Sequence, residues 1–401
     1  MTIDPIVVLD IGTSRVRTLV AEQSTQKDAP PDALAITGYG EYPSAGMCKG
    51  SCSNVDTAQS AINSAINDAA TSAGIRPPFA VHLPMSGVGI DSTPVHVELL
   101  VNGEILPEHI TEILGLARES ASPSDALLHN VVRHYAVDGI PGNLPVGVLG
   151  TTLTLDSLLI HGPKARLLNL VHVLDRLKIE LAAPFFSGLC AATSSLTPDQ
   201  KRDGALLIDL GAGTTDFIAY ANAQMADAGV LPVGGDQLTN DIAAAFQIAP
   251  PVAEALKRTH AQATLNATSR TQRIPVSDAP SAKAIKLFDL QQVANCRMAE
   301  TFTLIRDRLR RKGLLPQLRA GVVLAGGGAL LADVVTLASN IFELPCAIAE
   351  PFLPGAAHDP AHGPQMATPL GAVALAYAEL AEAAANQKTV WHSLKAFFGF
   401  R

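Results

Sequence analysis

The order of apolar and polar positions predicts two strands at the start of the chain. Ile6–Leu9 is an apolar run, and Arg15–Glu22 resumes with Val16, Thr18 and Val20 on one face. Asp10-Ile11-Gly12-Thr13-Ser14 joins them, and a polar loop, Gln23–Asp32, follows with a Pro30–Pro31 break. Thr57–Ala73 is Ala-rich, with Ile62 and Ile66 at helical spacing. Val95–Val101 predicts a strand and Glu108–Ala121 a helix opened by Pro107. Asn130–Val137 and Leu149–Ile160 predict further strands, with a turn at Pro141-Gly142-Asn143 between them. Lys164–Leu177 reads as an amphipathic helix carrying Leu167, Leu170, Val171 and Leu174.

The opening pattern then returns. Ala205–Ile208 is an apolar strand, Asp209–Asp216 a glycine-rich turn and Phe217–Tyr220 the next strand. Helices are expected at Gln237–Phe246 and Val252–His260, then a loose polar segment, Asn266–Ser281, and a long helix, Ile285–Leu309. A third unit joins strand Gly321–Ala325 through Gly326-Gly327-Gly328 to a helix over Ala329–Asn340. Two distant strand–acid–glycine–hydroxyl–strand units imply an internally duplicated α/β protein.

At 401 residues, 48% of them hydrophobic and 16% charged, the chain has material for two or three domains with large cores, and wholesale disorder is excluded. Its net charge of −8, from 29 bases and 37 acids, argues against a nucleic-acid partner. Five scattered cysteines fit reduced thiols better than a disulfide framework, and Cys48 and Cys52 lack a second pair to complete a metal site. Met1–Pro5 offers no secretory signal. The longest uncharged stretches, Leu181–Pro198 and Pro360–Ala378, are too broken by Pro, Gly and polar residues to read as transmembrane helices.

The candidate chemistry lies in the turns. A tight glycine turn after a strand points backbone N–H groups outward, a cradle for phosphate oxygens. Gly12 and Gly211 admit close backbone approach, while Thr13, Ser14, Thr214 and Thr215 supply hydroxyl donors. Asp10 and Asp209, one from each half, would hold Mg²⁺ through its waters. Gly326, Gly327 and Gly328 suit the far end of a nucleotide, where bulk would block the base.

Val8–Ser14, Ile208–Asp216 and Leu324–Gly328 resemble the phosphate-1, phosphate-2 and adenosine motifs of the actin-like ATPase superfamily. Over nearly its whole length the chain resembles the FtsA family of bacterial cell-division proteins. Supporting matches are Ser44–Gly50, Gly234-Gly235-Asp236 with Thr239 and Asp241, and Ala253–Lys257, whose Glu254 and Lys257 match the ribose-contacting pair. The resemblance implies an α/β actin-like, duplicated RNase H-type fold, with two lobes around an interdomain nucleotide cleft that takes ATP and Mg²⁺.

It also implies a division into subdomain 1A (1–82 and 163–198), an FtsA-type 1C (83–162), 2A (199–240 and 305–365) and 2B (241–304). A return helix and short linker (366–386) and a membrane-targeting helix (387–401) complete it. His134–Asp138 and Asn143–Gly147 match 1C landmarks. Arg297 and Glu300 match the pattern on the 2B helix that captures the C-terminal tail of the tubulin-like FtsZ, whereas Arg306, Arg308, Arg310 and Arg311 read as a solvated helix end. Pro184–Cys190 offers no carboxylate or amide to orient water, so tight binding and slow hydrolysis are expected.

The last fifteen residues reverse the charge picture. They hold Lys388, Lys395 and Arg401 and no acid, leaving −11 on Met1–Asn386. On a helix, Val390, Trp391, Leu394, Phe397 and Phe398 fall on one arc of roughly 120° edged by Lys388 and Lys395, the pattern of an interfacial membrane helix. The tether Glu379–Asn386 is Ala-rich and helix-like. The resemblance implies a protein at the cytoplasmic face of the inner membrane at the division site. There it would assemble into filaments, bind lipid and the FtsZ tail, and contact other divisome proteins through 1C. The alternatives are a pilus-assembly scaffold of the PilM type and a small-metabolite kinase.

Overall fold

The computed structural model describes residues 4–24, 33–76, 79–276, 283–353 and 363–386. Two sheets carry the fold, and each grows from one glycine-turn hairpin. In the first, Ile6–Ile11 pairs antiparallel with Arg15–Gln23, which pairs with Leu34–Pro43. On its other side lie parallel Ala80–Met85 and then Glu180–Phe186. In the second, Ala205–Leu210 pairs antiparallel with Thr215–Ala221 and then Gln224–Leu231. On its other side lie parallel Gly321–Ala325 and then Cys346–Ile348. The same five-strand order occurs twice, as the repeated sequence pattern requires.

The central strands are almost wholly apolar because both faces are covered. Val7, Leu9 and Ile11 face Ile62, Ala65 and Ile66 of helix Val55–Ala73, while Ile6 and Val8 face Leu370 and Val373 of helix Ala367–Asn386. The former helix starts where Asn54 Oδ1 accepts from Thr57 N at 3.1 Å. No helix among the described residues is long and apolar enough to cross a membrane.

Between the fourth and fifth strands used by the first sheet, the chain builds a separate unit. Asp91–Glu104, Leu149–Pro163 and Asp125–Val137 form an antiparallel sheet, and helix Pro107–Glu119 covers a core of Ile105, Ile113, Tyr135, Val137, Leu153 and Leu155. Although it interrupts the first repeat in sequence, this unit extends the second sheet in space, where Asp91 pairs with Gly229. It meets the first lobe through His129, whose Nε2 accepts from Phe186 N at 2.9 Å. The His82, Phe185 and His129 rings stack in line, with centroids 5.7 and 6.1 Å apart.

Four sequence expectations change. The segment expected to be loose contains a short 3₁₀ turn, Ala267–Arg270, and strand Arg273–Val276, which pairs with Lys283–Lys286. Ile274, Val276 and Ile285 are buried, so Ile285 belongs to this hairpin and the long helix begins at Leu287, running to Arg311. The helix expected over Ala329–Asn340 is broken after the 3₁₀ turn Gly327–Leu330 and resumes at Val334–Phe342. Ala332 between them is held outside the helix, its carbonyl accepting from Ala263 N at 2.8 Å. Arg308 is not a solvated helix end. It bonds Asp227 and Asp91 and lies 4.9 Å above the Phe217 ring, joining the long helix, the second sheet and the 91–163 unit.

Candidate functional site

The two hairpin turns are built alike. Gly12 N donates to Arg15 O at 3.0 Å, and Gly211 N donates to Thr214 O at 3.0 Å, folding each turn back at the same position. They face each other across the space between the sheets and approach closely. A Cβ on Gly213 would stand 2.5 Å from Thr13 Oγ1 of the opposite lobe and 3.1 Å from the Lys49 backbone, so a larger residue there would force Thr13 aside. The third turn closes over Asp209. Gly326 has φ +81°, and a Cβ would meet Asp209 Oδ1 at 2.3 Å.

These turns wall a cleft of about 720 Å³. Asp10, Gly12, Thr13, Ser14, Asp209, Gly211, Gly213, Thr214 and Thr215 line it on the hairpin side. Gly234, Gly235, Glu254, Lys257, Gly326, Gly327 and Gly328 line the remainder. Glu254 and Lys257 are not loose charges on a helix face. They pair at 2.6 Å, Lys257 Nζ also donates to Gly235 O and Thr239 Oγ1, and Thr239 Oγ1 donates to Glu254 Oε2 at 2.6 Å. Burial alone would raise the Glu254 carboxyl, but the bonds from Lys257, Thr239 and Arg258 hold it down to about 2.

Negative charge is in excess on the cleft floor. Loss of surrounding water pushes Asp10 up to about 6, the Asp209 charge adds to the rise, and Arg17 opposes it. Burial also raises Asp209, against a hydrogen bond from Thr368 and the charge of Arg17. Asp216, 3% exposed, is raised well above the carboxylate range by burial and by Asp209. Ser86 Oγ reaches it from the first lobe and also bonds Thr214 Oγ1 at 2.9 Å. Asp10 and Asp209 line a glycine-walled space from opposite lobes, and two such carboxylates fit Mg²⁺ held through its waters.

Sequence reasoning did not assign Arg17, Ser86, Asp216, Gln365 or Thr368 to the site, yet all line the cleft. Asp216 closes the second glycine motif and was legible there; the others carry no motif. Pro184–Cys190 contributes a hydroxyl, Ser187, to the lining rather than an acid, and the Asp216 carboxylate also lines the cleft. Arg297 is already paired: Nε and Nη2 donate to Asp241 at 2.5 and 3.0 Å, and Nη1 donates to Glu300. Lys388, Val390, Trp391, Leu394, Lys395, Phe397 and Phe398 lie outside the described residues.

Residues 206–371 match the family described as Cell division protein FtsA. The cell division protein FtsA of Pseudomonas aeruginosa is 32% identical over 375 residues, spanning 91% of this chain and 88% of that relative. Its counterparts in Bacillus subtilis and Escherichia coli are 29% and 27% identical, over 86% and 91% of the chain and 78% and 89% of their own lengths. Among solved structures, a PilM–PilN type IV pilus biogenesis complex superimposes with TM-score 0.62 at 15% identity, covering 93% of this chain and 98% of that one. MreB5 of Spiroplasma citri bound to ADP gives 0.57 at 14%, covering 95% and 98%. At such identities the likeness is one of fold, and the fold is actin-like.

Proposed function

The chain belongs to the FtsA family of bacterial cell-division proteins, and from that premise we propose that it binds Mg-ATP between its lobes and assembles into filaments at the cytoplasmic face of the inner membrane. There it tethers FtsZ filaments at the division site. The observation that carries the nucleotide part is the meeting of two like-built phosphate turns, one from each lobe, with Gly213 against Thr13 and a third glycine turn closing over Asp209.

In this arrangement the backbone N–H groups and hydroxyls of Thr13, Ser14, Thr214 and Thr215 hold phosphate oxygens, and Glu254 and Lys257 hold the ribose. Asp10 and Asp209 hold the waters of Mg²⁺, which supplies the charge that offsets their mutual repulsion. Because the site takes ligand from both lobes, bound nucleotide favours their closed arrangement, the form suited to assembly. Residues 387–401 supply lipid contact through aromatic and basic side chains. An acidic FtsZ tail would engage Arg297 by exchanging with Asp241 or Glu300, and the 91–163 unit takes the part of subdomain 1C, open to other divisome proteins.

The identity of 32% with a division protein favours this reading over a pilus scaffold, whose likeness is one of fold. Equilibrium binding of a fluorescent ATP analogue tests it: saturable, Mg²⁺-strengthened binding that Asp209→Ala removes is expected, and absence of saturable binding contradicts it. Turnover is expected to be slow. A rate above about 1 s⁻¹, within the usual enzyme range, abolished by Asp209→Ala would overturn that.

A further inference from the structure

We propose that Thr368 is a positioning residue of the nucleotide site, holding the Asp209 carboxylate so that one oxygen faces the hydrated cation carried by the nucleotide. The inference rests on the Mg-ATP reading and gives a task to a residue outside every phosphate motif.

Thr368 is 7% exposed and sits in the first turn of helix Ala367–Asn386. A helical threonine commonly returns its hydroxyl to a carbonyl of its own preceding turn. Here the hydroxyl instead donates across the lobes to Asp209 Oδ2 at 2.7 Å. The other carboxylate oxygen has a different neighbour. Asp209 Oδ1 lies where a Cβ on residue 326 would come within 2.3 Å, and Gly326 keeps that space open. The two oxygens therefore have different surroundings: Oδ2 takes the Thr368 hydroxyl and Oδ1 lies against the Gly326 backbone, in the cleft that Asp10 also lines. Mg²⁺ retains most of its waters and demands near-octahedral geometry, so the direction of Oδ1 decides whether a bound water can be shared.

The hydroxyl is itself braced. Ser194 Oγ donates to Ala367 O at 2.6 Å, and Gly326 N donates to Pro364 O at 2.9 Å, tying both sides of the helix start to the site. Ala367 and Leu370 are buried on either side of Thr368.

The test compares Thr368→Ala with Thr368→Ser in the full chain, titrating Mg²⁺ against binding of a fluorescent ATP analogue and repeating the binding in EDTA. In Thr368→Ala the Mg²⁺ concentration for half-maximal binding should rise about tenfold, the size of one hydrogen bond to a charged group. Binding in EDTA should be unchanged, and Thr368→Ser should behave as wild type. A purely structural role would lower the melting temperature of the nucleotide-free chain without moving the Mg²⁺ requirement. Should Thr368→Ala not fold, Thr368→Val keeps the shape without the hydroxyl and gives the same comparison. Equal Mg²⁺ requirements in wild type and the variants lacking the hydroxyl would overturn the role of Thr368 alone. Loss of Mg²⁺-dependent binding in wild type would overturn the Mg-ATP reading with it.

Discussion

At residue 326 a methyl group has no room: the backbone is left-handed, and Asp209 Oδ1 and Leu210 O lie 2.3 and 2.5 Å from where it would sit. Gly326→Ala should therefore lower the melting temperature of the free chain as well as ATP affinity, the latter by about tenfold or more in a fluorescence titration. Other single residues govern stability against pH. Burial lowers His129 to about 4, and lowers His82 to about 4 against a weak contact with Val7 O. Both folded values lie below the ordinary 6.5, so the stabilisation is complete above pH 6.5 and is lost as pH falls toward 4, by roughly 3 kcal/mol for each ring. Urea unfolding should show wild type losing more stability between pH 7 and 4 than His129→Gln; parallel curves would contradict this. Glycines and acids in the turns were legible because their chemistry is local. Thr368 and Ser86 were not, because what gives them a part is a neighbour from the other lobe, more than 100 residues away in sequence.

The element that joins the most parts is the end of helix Leu287–Arg311. Asp227 has no exposed side-chain surface and receives Arg308 and Lys312, while Arg308 also reaches Asp91 at the base of the inserted unit. Burial alone would raise the Asp227 carboxyl, but Arg308 and Lys312 hold it below its ordinary value. Arg308→Met would leave that carboxylate with Lys312 and the Ser92 hydroxyl and should cost about 2–3 kcal/mol, less than removing the whole pairing of a buried charge. Amide exchange should quicken at strand Asp91–Glu104 before the glycine-turn hairpins; uniform exchange would contradict the clasp. The arginine run looked like a solvated helix end because its acids come from distant strands. The Arg273–Val276 hairpin was hidden for a related reason: four-residue strands carry too short an alternation to stand out from a polar segment.

On the scale of the whole molecule, the duplicated strand order and the opposed turns followed from Asp10 and Asp209 heading the same pattern twice. The attachment of the inserted unit to the second sheet did not, since it is made by one backbone pair, Asp91 with Gly229, and by side chains far apart in sequence, Arg308 with Asp91, Ser92 with Asp227, and Arg133 with the carbonyls of Met225 and Ala226. Helix Ala367–Asn386 runs from the cleft, at Thr368, toward the segment that carries the lone Trp and three of the twelve Phe. The central claim is that nucleotide in the cleft and lipid at that segment act together to build a membrane-bound assembly. Electron microscopy of the full chain on a lipid monolayer with Mg-ATP tests it most directly, beside Asp209→Ala and a chain ending at Asn386. The account predicts filaments on lipid for the full chain and none for either variant. Dispersed particles from the full chain, or filaments on lipid from the chain ending at Asn386, would contradict it.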